Sequence, residues 1–116
     1  MQKNTPRTFF VDIDNTICKT EGTDYAHAIP LEYRINHLNN LFLDGHIVVY
    51  YTARGGLSSF DYRPLTEAQL KMWDVKYTQL RMDKPLYDLL IDDRAENARI
   101  LNLKHHVKTF VFRNFK

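Results

Sequence analysis

The sequence predicts an α/β domain built on a doubly wound, mainly parallel sheet with helices on both faces. Three observations predict it. Short apolar runs alternate with helical patterns along the chain, as strand–helix–strand units require. Most of these runs are nearly continuous rather than alternating, which suits central strands covered on both sides. Acidic, hydroxyl and basic residues stand at the ends of the runs, where open α/β sheets place their ligands.

The first run, "TFFVDI" (8–13), predicts a strand that delivers Asp12 and Asp14 to one place. "CKTEGTDYAHAIP" (18–30) follows as a loop that could act as a small flap, with Glu21, Tyr25 and His27 near a substrate. "PLEYRINHLNNLFLDG" (30–45) puts Leu31, Ile35, Leu38 and Phe42 on one helical face, with Pro30 at the start and Gly45 as the stop. "HIVVYYT" (46–52) is the second strand. "PLTEAQLKMWD" (64–74) predicts a helix carrying Leu65, Ala68, Met72 and Trp73, and "VKYTQLRM" (75–82) a less regular strand. "LLIDD" (89–93) is read as another strand, "RAENARILNLK" (94–104) as a helix, and "TFVFRN" (109–114) as a last strand. With no repeat, linker or low-complexity tract, residues 1–116 are expected to form a single domain.

A hydrophobic share of 44% and a charged share of 26% describe an ordinary soluble globular chain. Sixteen basic against 14 acidic residues leave a formal charge of +2, too balanced to indicate a nucleic-acid or membrane partner. Cys18 has no cysteine to pair with, and the default is a reducing compartment. The apolar run near the N-terminus is far too short for a signal peptide or a spanning helix. A cytoplasmic protein is the expectation.

Taken alone, each polar residue at a strand end has a plain explanation as a turn, cap or solvated loop residue. Taken together they form a coherent chemistry. Asp12 and Asp14 follow the first run, Thr52 and Arg54 the second, Lys84 precedes the third, and Asp92 and Asp93 end it. Carboxylates meeting at one sheet edge repel each other and need a cation. Oxygen ligands select a hard ion, and Mg²⁺ fits with few carboxylates, retained waters and a substrate phosphate. Asp12 can attack phosphorus as a nucleophile. Asp14, two residues along an extended segment, points the same way and can protonate the leaving oxygen, then deprotonate a water. Thr52 and Lys84 can hold the transferring phosphoryl group.

The order D-I-D-N-T, a strand ending in Thr52, Lys84, then a run ending in Asp92–Asp93 resembles the motifs of the haloacid dehalogenase (HAD) superfamily of phosphohydrolases. The resemblance spans residues 8 to about 100. It implies a Rossmann-like fold, Mg²⁺ dependence and an aspartyl-phosphate intermediate. Carried over, Asp12 is the nucleophile and Asp14 the general acid/base. Thr52 and Lys84 bind the phosphoryl group, with Asn15 beside them; Arg54, by its place after Thr52, is a further phosphate-binding candidate that could hold the leaving group or equally pair with a neighbouring acid. Asp12, the Asp14 backbone carbonyl, and Asp92 with Asp93 make the metal site. Asn15 stands where most members have glycine, and asparagine tolerates the left-handed conformation such a turn needs.

The superfamily's dehalogenases lack the acid/base that Asp14 implies, so phosphate-ester hydrolysis is the expected activity. Receiver domains use Asp, Thr and Lys on a similar sheet, but in a different order. Neither the gap from Asp14 to Thr52 nor that from Arg54 to Lys84 holds a large cap domain, which resembles the capless members. In those, a neighbouring subunit can act as the lid, which makes a homo-oligomer one alternative. "DYAHAIP … GH … TARG" further resembles short phosphatases found with capsular or surface-polysaccharide biosynthesis, and implies a small phosphorylated substrate such as a sugar phosphate. "IDDR" also occurs in polynucleotide 3′-phosphatases, yet no basic groove with stacking aromatics accompanies it here. A non-catalytic phospho-ligand or partner-binding domain is the alternative from another class.

Overall fold

A computed structural model describes residues 5–102 of the chain. Its centre is a parallel sheet in which β1 (Thr8–Val11) and β5 (Gln79–Arg81) flank β4 (Ile47–Tyr51). Between β1 and β4 come a short antiparallel ribbon, β2 (Cys18–Lys19) and β3 (Ile29–Pro30), and helix α1 (Glu32–Leu43). Helix α2 (Arg63–Met72) joins β4 to β5. The architecture is therefore a small α/β one with a three-stranded parallel sheet.

Register decides what each strand buries. Phe9 pairs with Val48, and Val11 with Tyr50, which in turn pairs with Leu80. These side chains share one face, because successive residues of a strand alternate sides. That face is the core, where they join Ile35, Leu38 and Leu41 of α1 and Leu70 of α2. Phe10, on the other face, is 53% exposed. Both helices thus pack on one face of the sheet among the described residues. Helices on both faces were expected, and a further helix over 94–104. Within the described residues that segment forms only a 3-10 turn, Ala98–Asn102, which is tied to α1 by a bond from Arg34 Nε to Asn102 Oδ1 of 3.0 Å. The expected strand over 109–114 lies outside the described residues.

The helices stop by one device. After α1, the amide of Gly45 donates to Phe42 at 3.0 Å and that of His46 to Leu41 at 3.1 Å, with Gly45 at φ 96°. After α2, Asp74 donates to Lys71 at 3.1 Å and Val75 to Leu70 at 2.9 Å, with Asp74 at φ 54°. This paired bonding satisfies carbonyls that the helix end leaves open. Buried Asn39 then pins the second stop, donating to the Asp74 carbonyl and accepting from the Lys76 amide, both at 2.8 Å. Sequence periodicity placed α1 well, but α2 turns differently from expectation. Thr66, Gln69 and Leu70 face inward, while Met72 is 73% exposed.

The expected strand over 89–93 does not form. Leu89, Leu90 and Ile91 are 75%, 52% and 89% exposed, and the segment enters neither sheet. A local bond takes over: the Arg94 amide donates to Asp92 Oδ1 at 3.0 Å and turns the chain.

Tyr50 sits at the heart of the core at 0% exposure, and its hydroxyl has no hydrogen-bond partner among the described residues. Burial also raises its pKa. Tyr50→Phe removes a polar group whose desolvation is uncompensated, and is expected to stabilise the fold by about 1 kcal/mol. Urea denaturation of the two proteins checks this. A loss of stability would mean that the hydroxyl is bonded.

Candidate active site

Parallel strands bring their carboxyl ends to one edge, and the site lies there. Asp12 leaves β1 directly after Val11. Ile13 is fully buried, so Asp12 and Asp14 project together to the other side. The chain then reverses sharply: Thr16 and Ile17 both donate to the Ile13 carbonyl, at 3.0 and 2.9 Å, and Asn15 takes φ 62°. Asparagine is suited to that left-handed position. Its side chain is used in the turn, accepting from the Thr20 amide at 3.1 Å. Asn15 does not line the cleft described below, so its place among the phosphate-binding candidates becomes one in the turn instead.

The second strand end adds Thr52, only 1% exposed. Its amide donates to the Arg81 carbonyl at 2.9 Å, and its own carbonyl accepts from the Lys84 amide at 3.2 Å. The β4–β5 pairing thereby extends past the strands and sets Lys84 beside Thr52. The Thr52 Oγ1 accepts from the Arg54 amide at 3.2 Å, which leaves its O–H as a donor. Lys84 Nζ lies 3.3 Å from Asp12 Oδ1 and 5.3 Å from the centre of the Tyr87 ring.

Arg54 is 3% exposed and spends its guanidinium on protein groups. Nε and Nη2 donate to the two oxygens of Asp14 at 3.0 and 2.9 Å. Nη1 donates to Thr66 Oγ1 at 3.1 Å and Gln69 Oε1 at 2.6 Å. Such a fork fixes the plane of a carboxylate. Thr20 adds a hydroxyl bond to Asp14 Oδ1 at 2.6 Å. Of the roughly four lone-pair directions a carboxylate offers, these close bonds take two on Oδ1 and one on Oδ2. Of the two roles open to Arg54, a hold on substrate and a pair with a neighbouring acid, the second is the one observed. The structure gives its donors to Asp14 and α2.

Asp12, Asp14, Thr52, Arg54 and Lys84 line one cleft of about 310 Å³, closed at its sides by Gly22, Tyr25, Pro85, Leu86 and Tyr87. Of the 18–30 segment, Tyr25 and Gly22 reach the cleft, and Glu21 and His27 do not. The His27 ring is paired with Asp24 at 2.8 Å in solvent instead. Asp92 and Asp93 are exposed and outside the cleft, the consequence of the turn at 92–94. That turn's Arg94 amide holds the Asp92 carboxyl below its usual range. Among the described residues, no three His, Cys, Asp or Glu side chains group as a metal site.

Burial pushes the Asp12 carboxyl above its ordinary value, a rise that Lys84 opposes and Asp14 slightly augments. For Lys84, burial pulls the ammonium down, but Asp12 and Tyr87 outweigh it and the net direction is up. Thr20, Thr66 and Gln69 were missed in the sequence. Thr66 and Gln69 are polar residues on an amphipathic helix, assigned to solvent by default until a buried arginine lies beside them; Thr20 follows β2 in a loop, where a hydroxyl carries no signal of its own.

Neither a protein-family model nor a curated protein matches the chain. One solved structure, a structural-genomics target from Vibrio cholerae, is similar: the TM-score is 0.77 at 23% identity, over 95% of this chain and 99% of that one. That likeness speaks for the fold alone. No helix among the described residues is long and apolar enough to cross a membrane.

Two outcomes follow from these charges. A carboxyl whose folded pKa is raised favours the folded state only when protonated. Its contribution is present below the ordinary value of 3.8 and lost as pH rises through the raised one. Asp12 therefore burdens the fold at neutral pH, and Asp12→Asn in chelator should raise Tm slightly, since solvent screens the group and Lys84 loses its carboxylate partner. Arg54→Met strands Asp14 without its partner and should lower stability by about 3 kcal/mol. Thermal and urea unfolding measure both, and a fall in Tm for Asp12→Asn would contradict the charge assignment.

Proposed function

We propose that the chain is a phosphomonoester hydrolase of the haloacid dehalogenase type, capless and Mg²⁺-dependent, acting through an aspartyl-phosphate on a small phosphorylated metabolite such as a sugar phosphate. The observation that carries this reading is the meeting of Asp12, Asp14, Thr52 and Lys84 in one small cleft at the carboxyl edge of a parallel sheet. Each group then has a task it is chemically suited to.

The Asp12 carboxylate forms a bond to phosphorus as the ester P–O bond breaks. Asp14 gives a proton to the leaving oxygen. A water then attacks phosphorus, Asp14 takes its proton, and the Asp12–phosphorus bond breaks to release inorganic phosphate. Lys84 and the Thr52 hydroxyl hold the phosphoryl oxygens and balance their charge. Arg54 keeps the Asp14 carboxylate turned toward the cleft.

Asp12 and the backbone of Asp14 supply hard oxygens, a donor set that fits Mg²⁺, since this ion retains waters and takes a substrate phosphate rather than a full protein cage. When bound, it would neutralise charge on the phosphoryl oxygens. The remote Asp92 and Asp93 supply nothing to that set in this arrangement. The cleft's volume of about 310 Å³ is at the small end for ligand sites, and its aromatic and apolar walls suit the carbon face of a compact leaving group. These features favour a metabolite over a nucleic-acid strand.

Hydrolysis of an aryl phosphate should require Mg²⁺, and Asp12→Asn should lower kcat by at least about a thousand-fold. Equal, metal-independent rates for the two proteins would overturn the reading. Sugar phosphates should outperform 3′-phosphorylated oligonucleotides in a substrate screen, and the reverse order would move the assignment to polynucleotide ends. The pH profile offers a separate check. Asp12 attacks only when ionised, and Lys84 holds its pKa down against burial, so Lys84→Met should shift the acid limb of kcat/KM to higher pH. A shift to lower pH would contradict the pairing.

A further inference from the structure

Helix α2 contributes a polar contact that the hydrolase reading does not use. Gln69 is 3% exposed, and both ends of its amide are engaged. Oε1 accepts from Arg54 Nη1 at 2.6 Å, and Nε2 donates to the Tyr25 carbonyl at 2.6 Å. The first bond leads through the Arg54 fork to Asp14. The second leads to the 18–30 segment, whose Tyr25 ring lies over the same guanidinium at 4.9 Å and edge-on to Tyr62 at 4.9 Å. Thr66, one turn earlier on α2, accepts from Arg54 Nη1 at 3.1 Å and donates to the Tyr62 carbonyl at 2.7 Å.

We propose that Gln69 is a positioning residue: it latches the 18–30 segment over the cleft and, through Arg54, sets the orientation of Asp14. The two tasks share one amide but use different atoms of it: the oxygen serves Arg54 and the nitrogen holds the segment. A buried glutamine facing an arginine and a carbonyl meets complementary demands, since its oxygen can only accept and its nitrogen only donate. An apolar residue at the same place would satisfy helix packing and leave both partners without their bonds. The inference rests on the hydrolase reading for its catalytic half only; the latch itself is independent of it.

Two variants separate the halves. Gln69→Leu removes both bonds. Gln69→Glu keeps the acceptor for Arg54 and removes the donor to Tyr25. Hydrogen exchange of the amides around Tyr25–Ala28 should quicken at least about five-fold in both variants, the worth of one net hydrogen bond. In steady-state hydrolysis, Gln69→Leu should lower kcat by about ten-fold or more with KM little changed, the signature of an interaction that serves the reacting groups rather than substrate binding. Gln69→Glu should recover most of that kcat, because Arg54 retains its partner. Unchanged exchange in both variants overturns the latch, whether or not the protein hydrolyses phosphate esters. An active wild type with unaltered kcat in Gln69→Leu, or a rise in KM alone, overturns the positioning role. A wild type without phosphatase activity but with faster exchange in the variants upholds the latch and removes the hydrolase reading instead.

Discussion

The parallel pairing of β1 and β5 with β4 is the constraint from which the site follows. Val11 stands level with Tyr50, and Tyr51 with Arg81. The next residues of each strand must therefore emerge side by side. Asp12, Thr52 and Lys84 come together because of ladder geometry, and the backbone bonds from Thr52 to Arg81 and from Lys84 to Thr52 carry that geometry beyond the last strand residue. An antiparallel arrangement would have sent alternate ends to opposite edges. The apolar face beneath, from Phe9 to Leu80, holds this register, since a one-residue slip would turn Val11 and Tyr50 outward.

Charge is the expense of gathering these residues, and the surroundings divide it. Asp12 keeps one cationic neighbour in Lys84 and remains partly desolvated, which leaves it proton-avid. Asp14 is enclosed by stronger partners: a two-point arginine and a threonine hydroxyl. Two carboxylates two residues apart thus receive different environments, Asp12 beside a single lysine ammonium and Asp14 within an arginine fork. The difference originates on α2. Thr66 and Gln69 face inward where apolar residues were expected, and they hold the arginine that holds Asp14.

Much of this was legible beforehand. The runs that became β1 and β4 are rich in β-branched and aromatic residues, and α1 has a clear stop at Gly45, whose positive φ only glycine adopts easily. The left-handed turn at Asn15 and the convergence of Asp12, Asp14, Thr52 and Lys84 were also readable, from residue type and from the strand-end rule. Three features were not. "LLIDD" has too few apolar residues to distinguish a strand from an exposed turn, and the local Asp92–Arg94 bond is what the chain forms. Arg54 has a residue type suited equally to phosphate and to a neighbouring acid, and only the fold brings Asp14 within 3.0 Å of it. Gln69 is polar in a helix, and periodicity alone assigns such a residue to solvent.

The central claim is that Asp12 becomes covalently phosphorylated during turnover. Acid-quenched enzyme, mixed briefly with Mg²⁺ and a phosphate ester that it hydrolyses, can be digested and weighed by mass spectrometry. The account predicts one added phosphoryl group on the peptide that contains Asp12, absent after longer incubation without substrate and absent in Asp12→Asn. Full turnover with no such adduct at any quench time, and retained in Asp12→Asn, would contradict it.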